Sequence, residues 1–172
     1  MLTWLLRIVI GLVVIIAIVM IVGYSLPKGH TATRTAHLPA PPEKVWATIT
    51  DFQSFPSWRK DVKSVDVLPT HHGKRSWRED GKNGVVTYEA DAWEPPNHLV
   101  ARIADKGLPY GGSWDYSISP NATGSTITII ENGEVYNPVF RVVSRFMSQT
   151  ATIDGYLSSL ATKLGGSYTP SG

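Results

Sequence analysis

The chain has 172 residues, and its 16 Lys and Arg nearly balance its 14 Asp and Glu. It contains no basic run that could follow a phosphate backbone, which argues against nucleic acid as a partner. The absence of cysteine excludes disulfide bonds and thiolate chemistry but leaves the compartment open.

The N-terminal segment, residues 1–26, is apolar almost throughout, with Arg7 as its one charged side chain. A helix over residues 2–24 would be about 35 Å long, enough to cross a hydrocarbon core of about 30 Å. Trp4 and Tyr24 stand near opposite ends, where interfacial aromatic residues are found. The segment therefore predicts a single-pass membrane anchor whose residues 2–24 contact the bilayer.

A cleaved signal peptide is the alternative to an anchor. The apolar run is longer than a usual signal core, and residues 23–27 show no A-x-A cleavage pattern, so an uncleaved anchor is favoured. The orientation is poorly determined, because Arg7 flanks one side of the span while Lys28 and Arg34 flank the other. We expect the domain to lie outside the cytoplasm, since N-terminal anchors often insert in that direction.

After a linker at residues 27–30, strand and helix patterns are separated by turn residues. Thr31–Leu38 is a short strand, and Pro39–Glu43 opens a helix with proline and an acidic residue in its first turn. Residues 51–58 break that helix and predict a second short helix or a turn. The hydrophobic period then changes to two, which predicts six further strands. They cover Val62–Leu68, Lys74–Asp80, Gly84–Trp93, Leu99–Ala104, Ser113–Ser119 and Ser125–Tyr136.

The last periodic segment is helical. Between Pro138 and Leu164 apolar residues recur every three to four positions, which predicts one long amphipathic helix. Gly165 and Gly166 would end it, and residues 165–172 are expected to form a flexible tail. An antiparallel sheet must cover its apolar face, and this helix is long enough to do so. The order of elements therefore predicts an α+β domain.

Residues 40–58, APPEKVWATITDFQSFPSW, resemble the opening of the polyketide cyclase, dehydrase and lipid-transport branch of the SRPBCC superfamily, which includes START domains and birch-pollen allergens. The resemblance extends over residues 31–164. It implies a helix-grip fold, in which a curved antiparallel sheet of about seven strands wraps a long C-terminal helix, with two short helices after the first strand. Relatives include lipid carriers, hormone receptors and aromatase or cyclase enzymes, and a shared fold does not choose among them.

Strand alternation predicts which side chains face the long helix. Trp114 and Tyr116 share one face of their strand, and Tyr88, Ala90 and Ala92 share one face of theirs. Such a set of rings and small residues lines either a packed core or an apolar cavity, and the resemblance favours a cavity. The candidate ligand-binding residues are Trp77, Tyr88, Arg102, Leu108, Tyr110, Trp114, Tyr116, Phe146 and Ile153.

The glycine-rich segment Gly107–Gly112 carries two large apolar side chains, Leu108 and Tyr110. Its glycines allow many backbone conformations, and these two residues have no obvious strand partner. One hypothesis is a mobile lid whose Leu108 and Tyr110 contact a ligand or lipid headgroups. The other is a plain hairpin connection whose Leu and Tyr pack into the core.

The sequence shows no catalytic motif and no set of metal ligands. The pair His71–His72 lies in a turn beside Gly73 without a third ligand, which favours a solvated loop over a metal site. Glu89, Asp91 and Asp115 alternate away from the inward face. We therefore expect no catalytic residue, no metal and no cofactor.

These features predict a monomeric, membrane-anchored binding domain that holds a lipid or another hydrophobic small molecule between the sheet and the C-terminal helix. The first alternative is a cyclase or dehydrase acting on an apolar substrate, with Arg102, Tyr88 and Tyr116 as first candidates. It requires a titratable group with a perturbed pKa inside the cavity. The second alternative is an interaction scaffold without a cavity above roughly 300 Å³, the low end of ligand sites.

Overall fold

The structure is a computed structural model that describes residues 2–82 and 84–170, apart from the side chains of Leu2 and His71. The helices are α1, Leu2–Ser25; α2, Pro42–Thr50; a 3₁₀ helix, Phe52–Ser57; α3, Pro138–Ser144; and α4, Ala151–Lys163. The strands are β1, Gly29–Leu38; β2, Val62–His71; β3, Lys74–Gly81; β4, Gly84–Glu94; β5, His98–Ile103; β6, Tyr110–Asn121; and β7, Gly124–Val135.

The seven strands form one sheet in the order β1-β7-β6-β5-β4-β3-β2, and every neighbouring pair is antiparallel. Alternate residues of β7 are buried, among them Ile127 and Ile129. They share one core with Ile153 and Leu157 of α4. The core therefore lies between the sheet and the C-terminal helix, and the α+β helix-grip prediction is confirmed.

Strand direction brings several segments to one end of the sheet. β1 begins at Gly29, just after α1, and its neighbours alternate in direction. Strands β7, β5 and β3 therefore finish at the α1 end, whereas β6, β4 and β2 begin there. The turn before β2 and the last residues of β3 consequently lie at the same end of the sheet as α1.

The α1 helix is long and apolar enough to cross a membrane, although a signal sequence would meet the same criteria. Most of its side chains are exposed, whereas Gly23 is buried and Val19 and Met20 are half-buried. Gly23 lies so close to the carbonyl group of Pro138 that a Cβ atom at this position would collide with it. The last turns of α1 are thus covered by α3.

The two short helices after β1 supply one side of the core. The α2 helix buries Val45, Trp46 and Ile49 on one face, as their spacing predicts. The 3₁₀ helix that follows buries Phe52 and Phe55. All five side chains join the core between the sheet and α4.

The prediction of one helix over residues 138–164 is wrong, because α3 and α4 are separated by a connection at residues 145–150. Within it, the hydroxyls of Ser148 and Thr150 lie 3.3 Å apart and form a hydrogen bond. Hydroxyl side chains of this kind compete with the helical hydrogen-bond pattern. The amphipathic period alone does not reveal such a break.

Arg141 gives α3 a second reason to diverge from α4. Its guanidinium donates hydrogen bonds to the carbonyl oxygens of Gly23, Val135 and Tyr136 at 2.8–3.0 Å. These bonds fasten α3 to the end of α1 and to the end of β7. The apolar positions of α3 therefore do not face the sheet, contrary to the prediction.

The end of α4 follows the predicted glycine pair. Gly165 has a φ of +81°, and the Gly166 N–H donates to the carbonyl oxygen of Ala161 at 2.8 Å, which is a Schellman-type helix end. Beyond it, the Tyr168 hydroxyl donates to Asp154 Oδ1 at 2.7 Å. The chain therefore folds back on α4 as far as Tyr168, and the flexibility of the tail stays a prediction. The last two residues lie outside the described part of the chain.

A β-bulge changes the inward face of β4. The register with β5 shifts between Ala90 and Ala92, after which Trp93 pairs with Leu99. Leu99 is buried, and Trp93 packs against the core. The prediction that Ala92 continues the inward face is therefore wrong, because an extra residue in a bulge reverses the alternation.

Candidate functional site

A cavity of about 70 Å³ lies between the sheet, the 3₁₀ helix and the first turns of α4. Its floor comes from inward-facing residues of β3, β4, β5, β6 and β7. Its aromatic and charged lining residues include Arg59, Glu79, Tyr88, Trp114, Tyr116 and Tyr156. The site therefore combines rings with a buried charge pair.

A row of aromatic rings forms one wall. Phe52 stacks on Trp77 with ring centroids 3.9 Å apart, and Trp77 stacks on Tyr88 at 5.5 Å. Tyr88 then meets Trp114 edge-on at 6.0 Å. Flat apolar rings in contact with one another offer a surface suited to an aromatic or otherwise apolar ligand.

Arg59 and Glu79 form an ion pair at the α1 end of the cavity. Arg59 Nη1 lies 3.0 Å from Glu79 Oε2, and the two side chains are only 13% and 10% exposed. The indole N–H of Trp77 donates to Glu79 Oε1 at 2.9 Å. On its other side Arg59 donates to Asp61 Oδ2 at 2.7 Å, and the Asp61 side chain is half exposed. A chain of polar groups thus runs from solvent to the cavity.

The surroundings of these polar groups shift the pKa values of the Glu79 and Asp61 carboxyl groups in opposite directions. Burial raises the pKa of Glu79, and the Arg59 charge and the Trp77 hydrogen bond offset this only in part. Burial also acts to raise the pKa of Asp61, but the hydrogen bond from Arg59 outweighs it and the net pKa is lowered. Between these two groups, Glu79 is the one that takes up a proton first as the pH falls.

Two aromatic rings enclose the Arg59 guanidinium. Its Cζ atom lies 4.9 Å from the ring centroid of Phe55 and 5.3 Å from that of Tyr156. Burial lowers the pKa of Arg59, but the charge of Glu79 and the hydrogen bond to Asp61 outweigh it and the net pKa is raised. Arg59 therefore stays cationic inside an aromatic frame.

Three tyrosines, Tyr88, Tyr116 and Tyr156, line the cavity, and their hydroxyls have no hydrogen-bond partner within the described part of the chain. Burial raises the pKa of all three, and the charge of Glu79 raises each one further. These three are available to a ligand carbonyl, a ligand hydroxyl or ordered water.

A second buried carboxyl group, Glu131, pairs with Trp114 across β6 and β7. The Trp114 indole N–H donates to Glu131 Oε2 at 3.0 Å, and His30 Nε2 lies 3.6 Å from Oε1. Burial raises the pKa of Glu131, and the Trp114 hydrogen bond and the His30 charge offset this in part. Glu131 does not line the cavity itself but holds the Trp114 ring that does.

Five of the nine predicted site residues line the cavity. They are Trp77, Tyr88, Trp114, Tyr116 and Ile153. Strand alternation places the first four, and the helical period places the last. Their contact with a ligand stays a prediction.

Arg102 does not line the cavity. It lies on the outer face of β5, where its guanidinium pairs with Asp91 Oδ2 at 2.8 Å and with Glu89 Oε2 at 3.0 Å. It borders a separate groove of about 540 Å³ beside the α1 ends of β1, β6 and β7. Arg102 alternates with the buried Ala101, and this is why it faces outward.

Leu108, Tyr110 and Phe146 also lie outside the cavity. Tyr110 is the first residue of β6 and pairs with Val135, so it has the strand partner that was not expected. Leu108 is half-buried in the loop before it. Phe146 is 88% exposed in the connection between α3 and α4. These placements differ from the prediction because β6 begins earlier and the C-terminal helix is interrupted.

Three further lining residues, Arg59, Glu79 and Tyr156, were not predicted from the sequence. Glu79 stands two residues after Trp77 in the same strand, so the alternation that places Trp77 inward also places Glu79 inward. Tyr156 follows Ile153 at helical spacing. Arg59 lies in a turn before β2, where no period indicates its direction.

The histidine pair lies at a hairpin turn. His72 and Gly73 have φ values of +49° and +77°, which is the conformation of a two-residue turn between β2 and β3. Among residues 2–82 and 84–170, no group of three or more His, Asp or Glu side chains is arranged to hold a metal ion.

The chain belongs to the family described as "Polyketide cyclase / dehydrase and lipid transport", which it matches over residues 29–165. The match extends from β1 to the end of α4 and confirms the resemblance noted at residues 40–58. Hydrophobic small molecules are the ligand class of this family. No curated protein matches the chain significantly in sequence.

Solved structures with the same fold include enzymes and a START protein. The di-domain ARO/CYC BexL from the BE-7585A biosynthetic pathway has a TM-score of 0.67 at 15% identity, with 86% of this chain and 53% of that chain covered. This chain thus spans about half of that protein. Zhui aromatase/cyclase from Streptomyces has a TM-score of 0.67 at 10% identity, with 80% and 94% covered. A START superfamily protein from Mycobacterium smegmatis has a TM-score of 0.60 at 15% identity, with 79% and 97% covered.

Proposed function

We propose that this protein is a membrane-anchored domain that binds a lipid or another hydrophobic small molecule carrying a polar group. The apolar body of the ligand packs on the Phe52–Trp77–Tyr88–Trp114 rings, and the polar group meets Arg59 and the tyrosine hydroxyls. One observation carries the proposal: three tyrosine hydroxyls with no hydrogen-bond partner among the described residues line the same aromatic-walled cavity as a buried ion pair. The family match and its ligand class support it.

The cavity volume limits how a ligand is held. About 70 Å³ is well below roughly 300 Å³, the low end of ligand sites, so a ligand must displace part of the wall. Two wall segments adjoin irregular chain. The 3₁₀ helix is followed by residues 58–61, and the first turn of α4 is preceded by residues 145–150. Binding therefore requires these two segments to move apart.

The proposal is tested with the full chain purified in detergent. Organic extraction with mass spectrometry identifies retained molecules, and anilinonaphthalene sulfonate, an aromatic anion, serves as a fluorescent probe. Replacing Tyr88, Tyr116 or Tyr156 by Phe keeps the ring and removes one hydroxyl, which should weaken probe binding two- to about tenfold for each hydrogen bond lost. Tyr136→Phe removes a hydroxyl bound to Glu134 at the surface and should leave affinity unchanged.

A chain that retains no hydrophobic molecule and binds no probe would contradict the binding function. That outcome favours the interaction scaffold, which the small cavity volume also supports. If the Tyr116→Phe variant and the unaltered chain bind the probe with equal affinity, the probe binds at a different surface or the protein is an interaction scaffold.

Glu79 supports a second candidate function, a cyclase or dehydrase reaction on an apolar substrate. Its raised pKa and buried position suit a general base that takes a proton next to a carbonyl group, with Arg59 and the tyrosine hydroxyls stabilising the oxygen on which charge develops. Glu79→Gln should abolish turnover of a poly-β-ketone substrate while probe binding remains. Unchanged turnover in this variant would exclude Glu79 as the base.

The α1 helix supports the membrane part of the proposal. We infer that residues 2–24 span the bilayer and that the domain lies outside the cytoplasm. The unbroken apolar length supports an anchor over a cleaved signal. Protease protection in sealed vesicles tests the side on which the domain lies, because only an outward domain is digested before the vesicles are opened.

A further inference from the structure

The outer side of α3 and the residues after it form an exposed apolar surface, here named the α3 surface. Its members are Val139, Phe140, Val143, Phe146 and Met147. They follow one another within nine positions, and Phe146 is almost fully exposed. A cluster of large apolar side chains of this kind marks an interaction site, since soluble surfaces carry such residues singly.

The position of α1 identifies what covers this surface. The Gly23 backbone packs against Pro138, and Arg141 donates hydrogen bonds to the carbonyl oxygens of Gly23 and Leu26. The α3 helix thus lies beside the last two turns of α1. If α1 crosses a bilayer, α3 lies at the depth of those turns, which is the boundary between hydrocarbon and headgroups.

The length of α1 agrees with this depth. Its 24 residues make a helix of about 36 Å, a few ångströms longer than a hydrocarbon core of about 30 Å. The final turn of α1 therefore reaches the headgroups, and the turn before it reaches the outer hydrocarbon. Because α3 is bonded to both of these turns of α1, it contacts the headgroups and the outer hydrocarbon as well.

The charges beside the α3 surface suit the same location. Lys28 stands three residues after the end of α1, and Arg145 stands between Val143 and Phe146; both side chains are exposed. Cationic side chains next to an exposed aromatic and aliphatic face are typical of helices that lie in a membrane interface, where the cations meet lipid phosphates.

We propose that the α3 surface inserts into the interfacial layer of the bilayer that α1 crosses and that this contact holds the Arg59–Asp61 end of the cavity on the membrane side of the domain. Arg59 and Asp61 lie at the α1 end of the sheet, and the wall residue Thr152 follows the α3 surface by five positions. The inference rests on the proposed function in two respects, the membrane anchor and the ligand-binding cavity. It adds a second membrane contact and a route by which a ligand passes between bilayer and cavity.

The chain has no cysteine, so a single probe site is simple to introduce. Phe146→Cys, with the thiol carrying the fluorophore NBD, reports on the α3 surface in full chain reconstituted into phosphatidylcholine vesicles. Leu12→Cys reports on the middle of α1. Val67→Cys is the matched control, because Val67 is also exposed but lies on β2 and away from the α1 end.

Lipids carrying a nitroxide near the headgroup end of an acyl chain quench fluorophores in the interfacial layer, and lipids carrying it near the methyl end quench fluorophores at the bilayer centre. We expect the F146C label to be quenched by the first lipid, with blue-shifted emission, and the L12C label by the second, while the V67C label is quenched by neither and is not shifted. Because Phe146 is already exposed, its replacement should not disturb folding. A circular dichroism spectrum equal to that of the unaltered chain checks this.

Three outcomes would overturn the proposal, and they are distinguishable. If L12C is quenched and F146C behaves as V67C does, the anchor stands and the second contact is absent. If F146C is blue-shifted without quenching by lipid, a second copy of the chain or another protein covers the α3 surface. If neither L12C nor F146C is quenched, the anchor itself fails and the α3 surface contact fails with it.

Discussion

The Arg59 guanidinium lies 3.0 Å from the carboxylate of Glu79 and in contact with two aromatic rings. Both side chains are largely withdrawn from water. Each charge therefore offsets the cost of burying the other, and removal of one partner leaves the other unpaired in a medium of low dielectric constant.

Arg59→Met should lower the free energy of unfolding by about 3–5 kcal/mol near neutral pH, because Glu79 then remains buried without its cation. The double variant Arg59→Met with Glu79→Gln should recover most of this loss. Denaturant unfolding followed by tryptophan fluorescence measures both, and Lys60→Met provides a neighbouring exposed cation as control. A single variant as stable as the unaltered chain would mean that the pair contributes nothing to folding.

Glu131 should make stability fall as the pH rises. Burial raises its pKa above the ordinary value of 4.5, so the folded chain holds this proton more tightly than the unfolded chain does. The free energy of unfolding therefore decreases between pH 4.5 and the raised pKa, and Glu79 acts in the same direction.

Glu131→Gln keeps an acceptor for the Trp114 indole and removes the charge. We expect this variant to show a flatter pH profile than the unaltered chain and to be the more stable of the two at about pH 8. Glu134→Gln, an exposed position on the same strand, is the control. Parallel profiles for the unaltered chain and Glu131→Gln would contradict the assignment.

Tyr168→Phe should cost about 0.5–1.5 kcal/mol, since it removes the hydrogen bond to Asp154 and keeps the ring that packs on the core. A lower melting temperature measures the loss. The hydrogen bond also explains why the pKa of Tyr168 is raised to about 12: burial and the Asp154 carboxylate both favour the neutral hydroxyl. An unchanged melting temperature would indicate that the tail does not pack against α4 at Tyr168.

Gly23→Ala should separate α1 from α3, because a Cβ atom at this position collides with the Pro138 carbonyl oxygen. We expect faster proteolysis at residues 26–29 and 145–150 in the full chain in detergent. Gly11→Ala is the matched control, since a Cβ atom there meets nothing within 4 Å. Equal cleavage rates in the two variants would show that this helix contact is dispensable.

The full chain should resist extraction from membranes by alkaline carbonate, because α1 has the length and composition of a bilayer span. N-terminal sequencing of the mature protein complements this measurement. Recovery of soluble protein that lacks the first 25 residues would instead identify α1 as a cleaved signal.

Local pattern predicted most of the sheet. Period-two alternation located six of the seven strands to within a few residues, and the same rule applied to β3 would have placed Glu79 beside Trp77 in the cavity. The Gly165–Gly166 pair predicted the end of α4 because a helix end of this type needs a positive φ. These features depend on neighbouring residues in the chain, so the sequence displays them.

Features that depend on distant contacts could not be predicted in this way. The direction of α3 away from α4 depends in part on bonds between Arg141 and the end of α1, more than a hundred positions away in the chain. The direction of Arg59 depends on Glu79 across a turn, and the position of Trp93 depends on a bulge opposite β5. Hydrophobic period contains no information on such pairings.

The hydrogen bonds from Arg141 to Gly23 and Leu26 fix the orientation of the domain relative to α1. A long flexible linker would let a domain move away from the bilayer and deliver a ligand to a second membrane. These hydrogen bonds instead keep the domain at one distance from the bilayer and in one orientation. If α1 is the anchor and the cavity binds a ligand as proposed, the protein stays in one place and exchanges that ligand with the bilayer that it spans. Any transfer across a wider gap would then need a separate, freely moving carrier.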